Sequence, residues 1–302
     1  MMQSLARLAS VIALILVVTA RAYASGPFVL PVDSGFVQLY GGAIRADHYY
    51  NTAGSLRPYD SVKTDLSVVV FGVTADFGVL DGLEVNLDVP LGIQTLTSKA
   101  LFPDRRIVAP MYYGIGGTYR LSAGSLATSL SAMLKIPPGF HRGIYDDPEH
   151  PTFLSDGFLQ VTTMLNAGFR HKNIWLEGGA GYTWRDEEPL DEIPFALEVG
   201  FSRVEGTGIF VGLKGVVSTG DVTEPLRPFY AGSAGSAEER KRDDGGRGFF
   251  RTIDRENYLS LGAGAFVDLF KTVTITGRYD LRLFGRNSLA LRGATLGVGY
   301  RF

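Results

Sequence analysis

The chain has no cysteine. Neither a disulfide framework nor a thiolate metal site is therefore available to it. It also lacks helical periodicity, since no long segment repeats its apolar residues every three or four positions as an amphipathic helix does. Beyond residues 8–20 there is no long uncharged apolar run, which leaves nothing to build a membrane-spanning helix of about 20 residues. Charge is almost balanced, with 29 Lys and Arg against 31 Asp and Glu. That removes the basic footprint of a nucleic-acid binder. Glycine (38) is abundant, as are phenylalanine (19) and tyrosine (14). With a period of two along most of the chain, this composition belongs to an all-β protein.

The first residues read as an export signal. Arg7 precedes the uncharged stretch 8–20, and Ala22-Tyr23-Ala24 follows. A basic start, a short apolar core and an A-x-A site predict a secretory signal peptide over 1–24, cut after Ala24. As a helix the apolar core rises only about 20 Å, too short for a hydrocarbon layer of roughly 30 Å. Loss of Arg7 and Arg21 leaves 27 basic against 31 acidic residues in the expected mature chain, 25–302.

Residues 294–302 show the pattern most clearly. Ala294, Leu296, Val298, Tyr300 and Phe302 share one face of an extended strand; Thr295, Gly297, Gly299 and Arg301 share the other. Such a stripe suits a strand with lipid on one side and a lumen on the other. The C-terminal Phe, with apolar residues at every second position before it, also resembles the signal read by the bacterial barrel-assembly machinery. Phe302 is therefore the expected assembly signal and that machinery the expected partner in biogenesis.

Residues 83–94 repeat the pattern, with Leu83, Val85, Leu87, Val89, Leu91 and Ile93 alternating against Glu84, Asn86, Asp88, Pro90, Gly92 and Gln94. A dry core would not take Glu, Asn and Asp at successive inward positions, whereas a wet lumen does so at little cost. Twelve strands emerge, near 35–45, 63–77, 83–94, 111–121, 126–136, 159–169, 174–184, 195–201, 209–217, 259–267, 273–283 and 294–302. Tight turns, such as Asp81-Gly82, alternate with longer connections at 46–62, 95–110, 137–156, 186–193 and 220–254. The prediction is a monomeric, transmembrane, antiparallel up-and-down β-barrel of about twelve strands, of bacterial outer-membrane type, covering 25–302. The Gly-, Ser- and charge-rich segment 220–254 reads as a large external loop. Phe169, Tyr182, Trp184, Phe201 and Tyr300 fall near strand ends on the outward stripe, where interfacial girdles form.

The inward stripe nominates the lumen lining: Glu84, Asn86, Asp88, Arg120, Lys135, Gln160, Asn166, Arg170, Glu177, Arg185, Glu198, Lys214, Asp268, Arg278, Asp280 and Arg282. Both signs occur, so neither a pure cation filter nor a pure anion filter is indicated. Two readings stay open: these groups line a narrow path for small solutes, or they pair across the lumen and close it. Inward glycines such as Gly179, Gly181, Gly262 and Gly264 serve curvature and close packing. No catalytic residue, cofactor or metal site is predicted. Gly178-Gly179-Ala180-Gly181 lies inside a strand and is not a dinucleotide loop. His48, His141, His150 and His171 have no serine two residues on, so the His–Ser pair of a lipid-deacylating barrel is missing.

Residues 76–90 (DFGVLDGLEVNLDVP) resemble a hairpin of the family labelled for the MetA pathway of phenol degradation. The segment 134–139 (LKIPPG) is similar to that family's strand end, with Pro138 where threonine is usual. The segment 213–221 (LKGVVSTGD) is a looser echo. The resemblance implies an outer-membrane transporter of small hydrophobic or aromatic compounds. In contrast to the large fatty-acid transporters, residues 25–34 are too few to form an N-terminal plug domain.

Overall fold

The computed structural model describes residues 27–50, 54–58, 64–98, 102–138, 159–186, 191–204, 206–219, 257–270, 272–286 and 288–302. The expected signal peptide and the loop 220–254 lie outside them. The strands are β1 (Gly35–Ala46), β2 (His48–Tyr50), β3 (Leu56–Pro58), β4 (Thr64–Leu80), β5 (Leu83–Ser98), β6 (Phe102–Pro110), β7 (Tyr113–Ser122) and β8 (Leu126–Ile136). They continue as β9 (Gln160–His171), β10 (Ile174–Arg185), β11 (Glu192–Val204), β12 (Thr207–Ser218), β13 (Asn257–Leu269), β14 (Val273–Arg286), β15 (Ser288–Leu289) and β16 (Arg292–Arg301). Among the described residues there is no helix.

Each wall strand pairs antiparallel with its sequence neighbours, and β1 pairs with both β4 and β16, so the sheet closes on itself. β6 and β7 are two pieces of one wall strand. β6 pairs with the far half of β5 (Leu91↔Pro110) and β7 with the near half (Leu83↔Tyr119), with Met111 and Tyr112 between them. Counted so, the barrel has twelve strands. Closure leaves no unpaired edge, which lipid would penalise by several kcal/mol for each bare backbone group.

The side chains are sorted inside out. Large apolar residues face outward, with Leu39 62%, Leu165 58% and Ile209 62% exposed, whereas Glu84, Asn86 and Thr118 are at most 3% exposed. Phe169, Tyr182, Trp184, Phe201 and Tyr300 all lie on the exposed side. A soluble barrel would reverse this arrangement; an apolar solvent around a polar interior stabilises it.

The tight turns, between β4 and β5, β7 and β8, β9 and β10, β11 and β12, and β13 and β14, sit at the end that also holds Gly35 and Phe302. Gly82 takes φ +79° in the β4–β5 turn, a left-handed conformation that glycine adopts without a Cβ penalty. At the seam, Phe302 and Gly35 exchange backbone hydrogen bonds of 3.0 and 2.9 Å. A Cβ on Gly35 would lie 2.3 Å from the Phe302 ring, which also stacks near Phe77 with centroids 6.5 Å apart.

One expected connection is largely strand. The segment 95–110 reads as a loop, yet β5 runs to Ser98 and β6 returns from Phe102, leaving 99–101 between them. At 17 and 16 residues, β4 and β5 exceed the roughly 9–11 residues that span a bilayer. Their far ends stand clear of lipid, where nothing enforces alternation. At the same end, β15, β2 and β3 form a small sheet of three strands. Tyr50 Oη donates to the Leu283 carbonyl at 2.7 Å, and Asp47 binds both Arg292 and the His48 Nδ1 at 2.9 Å.

Candidate lumen site

The segment before β1 enters the barrel from the tight-turn end. Pro27 is under 2% exposed and Val29 is 9% exposed. The Leu30 N–H donates to Glu84 Oε2 at 2.8 Å, and the Arg170 guanidinium lies 4.5 Å above the Phe28 ring. Its seats are glycines. A Cβ on Gly168 would lie 2.2 Å from Pro27 Cγ, and one on Gly78 would lie 2.0 Å from the Pro31 carbonyl oxygen. The sequence suits such a guest, because Pro27 and Pro31 bring no N–H to be satisfied away from water. Asp33 N–H to Gly78 O and Gly78 N–H to Ser34 O, both 3.0 Å, then lead the chain into β1.

Two lumen walls differ in character. On the first, formed by β1, β4, β5 and β7, inward side chains bond directly to one another. Asn86 Nδ2 donates to Asp76 Oδ1 at 2.9 Å and to Glu84 Oε1 at 2.7 Å. Asp88 accepts from Tyr40 Oη at 2.9 Å and from Tyr112 Oη at 2.6 Å, while Lys135 Nζ sits 4.8 Å above the Tyr112 ring. Alternation dictates this contact, since every second residue of β5 projects into the same file.

The second wall, β10 to β14, carries charges linked across glycines. Register places Glu177 opposite Glu198, Glu198 opposite Gly212, Gly212 opposite Gly262, and Gly262 opposite Asp280. Arg278 lies along this row, 3.4 Å from Glu198 and 3.1 Å from Asp280, and Lys214 Nζ is 3.2 Å from Asp280. A Cβ on Gly262 would fall 2.5 Å from the Arg278 guanidinium, so glycine there makes room for the bridge.

Aromatic rings lie flat on the same wall. Trp175 pairs across strands with Gly200, Phe210 with Gly264 and Phe266 with Gly208; on the first wall, Tyr40 pairs with Gly72. In each pair a Cβ on the glycine would lie within 2.6 Å of the ring. Between this wall and the inserted segment is a cavity of about 780 Å³.

A closed barrel with this interior has solved counterparts. An outer membrane channel from Pseudomonas putida F1 superposes with a TM-score of 0.67 at 13% identity, covering 94% of this chain and 100% of that one. The NanC porin gives a TM-score of 0.50 at 8% identity, over 87% of this chain and 98% of that one. The fold is that of an outer-membrane β-barrel. No protein-family model matches the sequence and no curated protein matches it, so at these identities the likeness is one of fold alone.

Within that fold the nominated residues divide. Glu84, Arg170, Glu177, Glu198, Lys214, Asp268 and Arg278 border the cavity. Asn86, Asp88 and Lys135 belong to the first wall's network. Arg120 sits at the tight-turn rim beside Asp81, Asp268 accepts from Thr274 Oγ1 at 2.6 Å, and Arg185 pairs with Glu192 at 2.8 Å. Asn166 donates to Ser131 Oγ at 3.1 Å, and Arg282 stacks 3.7 Å above Tyr258.

Two features escape the sequence pattern. Residues 25–34 read as too few for a plug domain, yet residues 27–31 enter the lumen as a short peptide. The inward rings Trp175, Phe210 and Phe266 are absent from the expected lining because the pattern assigns aromatic residues to the lipid stripe. Their inward parity with Glu177, Lys214 and Asp268 on the same strands is the signal that exposes them.

Proposed function

We propose that this protein is an outer-membrane channel for small solutes, with hydrophobic or aromatic compounds preferred. The observation that carries the reading is the cavity of about 780 Å³, walled by rings and charges inside a barrel whose apolar residues face outward. The hairpin resemblance to the phenol-degradation family supports the preference for aromatics, and the superposition on an outer membrane channel supports the transport class. On this reading the chain is exported, inserted by the barrel-assembly machinery through Phe302, and works as a monomer in outer-membrane lipid.

The competing reading is a non-transporting barrel, structural or receptor, with its lumen closed. What favours it is the segment 27–31 in the tight-turn mouth. Planar-bilayer recording separates the two. Discrete conductance, raised when residues 27–31 are removed, supports a channel whose mouth this segment narrows. Silence in both proteins, each shown to be folded by heat-modifiable mobility, overturns the channel. Liposome uptake with small aromatics, sugars and acids then ranks the solutes.

A further inference from the structure

The geometry points to a subsite for the cationic head of an aromatic amine in the lumen cavity, built from Glu177 and Trp175. The inference rests on the channel reading and deepens it by naming a substrate class.

Along the second wall the charges do not balance. Its row holds three carboxylates, Glu177, Glu198 and Asp280, and two cations, Arg278 and Lys214, a net charge of −1. Arg278 and Lys214 are engaged with Glu198 and Asp280. Among the described residues the Glu177 side chain has no ion pair and no hydrogen bond, yet it stands directly across from Glu198. Like charges opposed on adjacent strands are destabilising. A cation seated between the two carboxylates reverses the sign of that interaction.

Next to Glu177 is an apolar seat. Trp175, two residues away on the same face of β10, lies flat over Gly200 with the Phe266 ring 5.8 Å from it. All three side chains border the cavity of about 780 Å³. An ammonium at Glu177 gains a charge-assisted hydrogen bond, and an aryl group two carbons away reaches the indole face. The indole quadrupole adds attraction for the same positive charge. Arg170, across from Trp175 and over Phe28, and Lys172, in the β9–β10 turn, border the same cavity nearer its tight-turn end than the row of Glu177 and Glu198.

Fluorescence of the full-length protein in detergent tests this without any need for conductance. The chain has 2 tryptophans, and replacing the lipid-facing one (Trp184→Phe) leaves Trp175 as the reporter. 2-Phenylethylammonium is expected to quench it saturably, binding about tenfold or more tightly than the isosteric 2-phenylethanol, the margin of one charge-assisted hydrogen bond. Glu177→Gln is expected to erase that margin while the alcohol's affinity stays unchanged. Equal affinity for the ammonium and the alcohol, tighter binding of phenylacetate, or an unchanged margin in Glu177→Gln each overturns the subsite. The first two comparisons need no variant at position 177, so they decide the matter even where Glu177→Gln fails to fold. A barrel silent in bilayers would overturn the channel reading and leave this titration standing.

Discussion

The two lumen walls follow the same alternation and reach opposite ends. On the β1, β4, β5 and β7 side, donors and acceptors sit close enough to satisfy one another, and Gln38, Tyr40, Thr74, Glu84, Asn86 and Asp88 are all buried. On the β10 to β14 side, Gly212 and Gly262 separate the charged positions, so that only long cationic side chains bridge them and space remains. Polar inward residues do not by themselves make a path. Small neighbours do not decide it either, since Asn86 and Asp88 face Gly116 and Gly114 across β5 and β7; what decides is whether inward side chains meet, as these two do with Glu84, Asp76, Tyr40 and Tyr112.

Substitutions that damage one wall and spare the other put this contrast to the test. The largest effect is expected for Asn86→Leu, which removes the donor shared by Asp76 and Glu84 in a buried file. Two hydrogen bonds to carboxyl groups are lost, and a destabilisation of about 3 kcal/mol or more is expected in urea unfolding from lipid vesicles. Glu177→Gln on the other wall should stay within about 0.5 kcal/mol. Equal penalties would erase the distinction.

Gly200→Ala comes next, because the added Cβ would lie 1.9 Å from Trp175 Cζ2. Overpacking of this kind costs about 1–3 kcal/mol. In a double-mutant cycle the loss should vanish in the Trp175→Ala background, and its persistence there would mean that the ring does not use the glycine as its seat.

Arg278→Gln should lower stability by less than about 1 kcal/mol, since its partners are partly solvated. Its effect appears in selectivity instead. The net charge of the row falls from −1 to −2, so the reversal potential in a KCl gradient should shift toward cation preference.

The smallest effect lies outside both walls and serves as their baseline. Burial acts to raise the Asp47 pKa, but the His48 hydrogen bond and the Arg292 charge outweigh it and hold the carboxyl below its usual range. A depressed carboxyl stabilises fully above its unfolded value near 3.9 and loses that contribution as pH falls through the lower folded value. Amide exchange in β2 should therefore quicken below about pH 4, by under about 1 kcal/mol at this exposure, and Asp47→Asn should abolish the step.

Much of the barrel was legible because lipid imposes a period of two that few other environments enforce. The strand 83–94 and the C-terminal strand announced their faces, and twelve strands followed from the turn spacing. Legibility faded where lipid ends: in 95–110 the alternation stops although pairing continues. The entry of residues 27–31 was hidden for another reason, since the cavity that receives them is made by residues far along the chain. The ring-on-glycine seats were hidden for a third. Glu84, Asn86 and Asp88 are near neighbours on one strand, whereas Trp175 and Gly200 meet only through a register that local sequence does not state.

Rings seated on distant glycines also help the barrel find its alignment. Trp175–Gly200, Phe210–Gly264, Phe266–Gly208 and Tyr40–Gly72 all join strands linked at the end opposite the tight turns. A tight turn fixes the offset between its strands; a long connection leaves it free to slip, and a slip of one residue turns every side chain to the wrong face. A bulky ring that fits only over a missing side chain penalises each neighbouring offset by a steric clash. These pairs act as alignment pins at the junctions where chain geometry provides none, and Phe195 over Gly215 adds one between β11 and β12, which a tight turn joins.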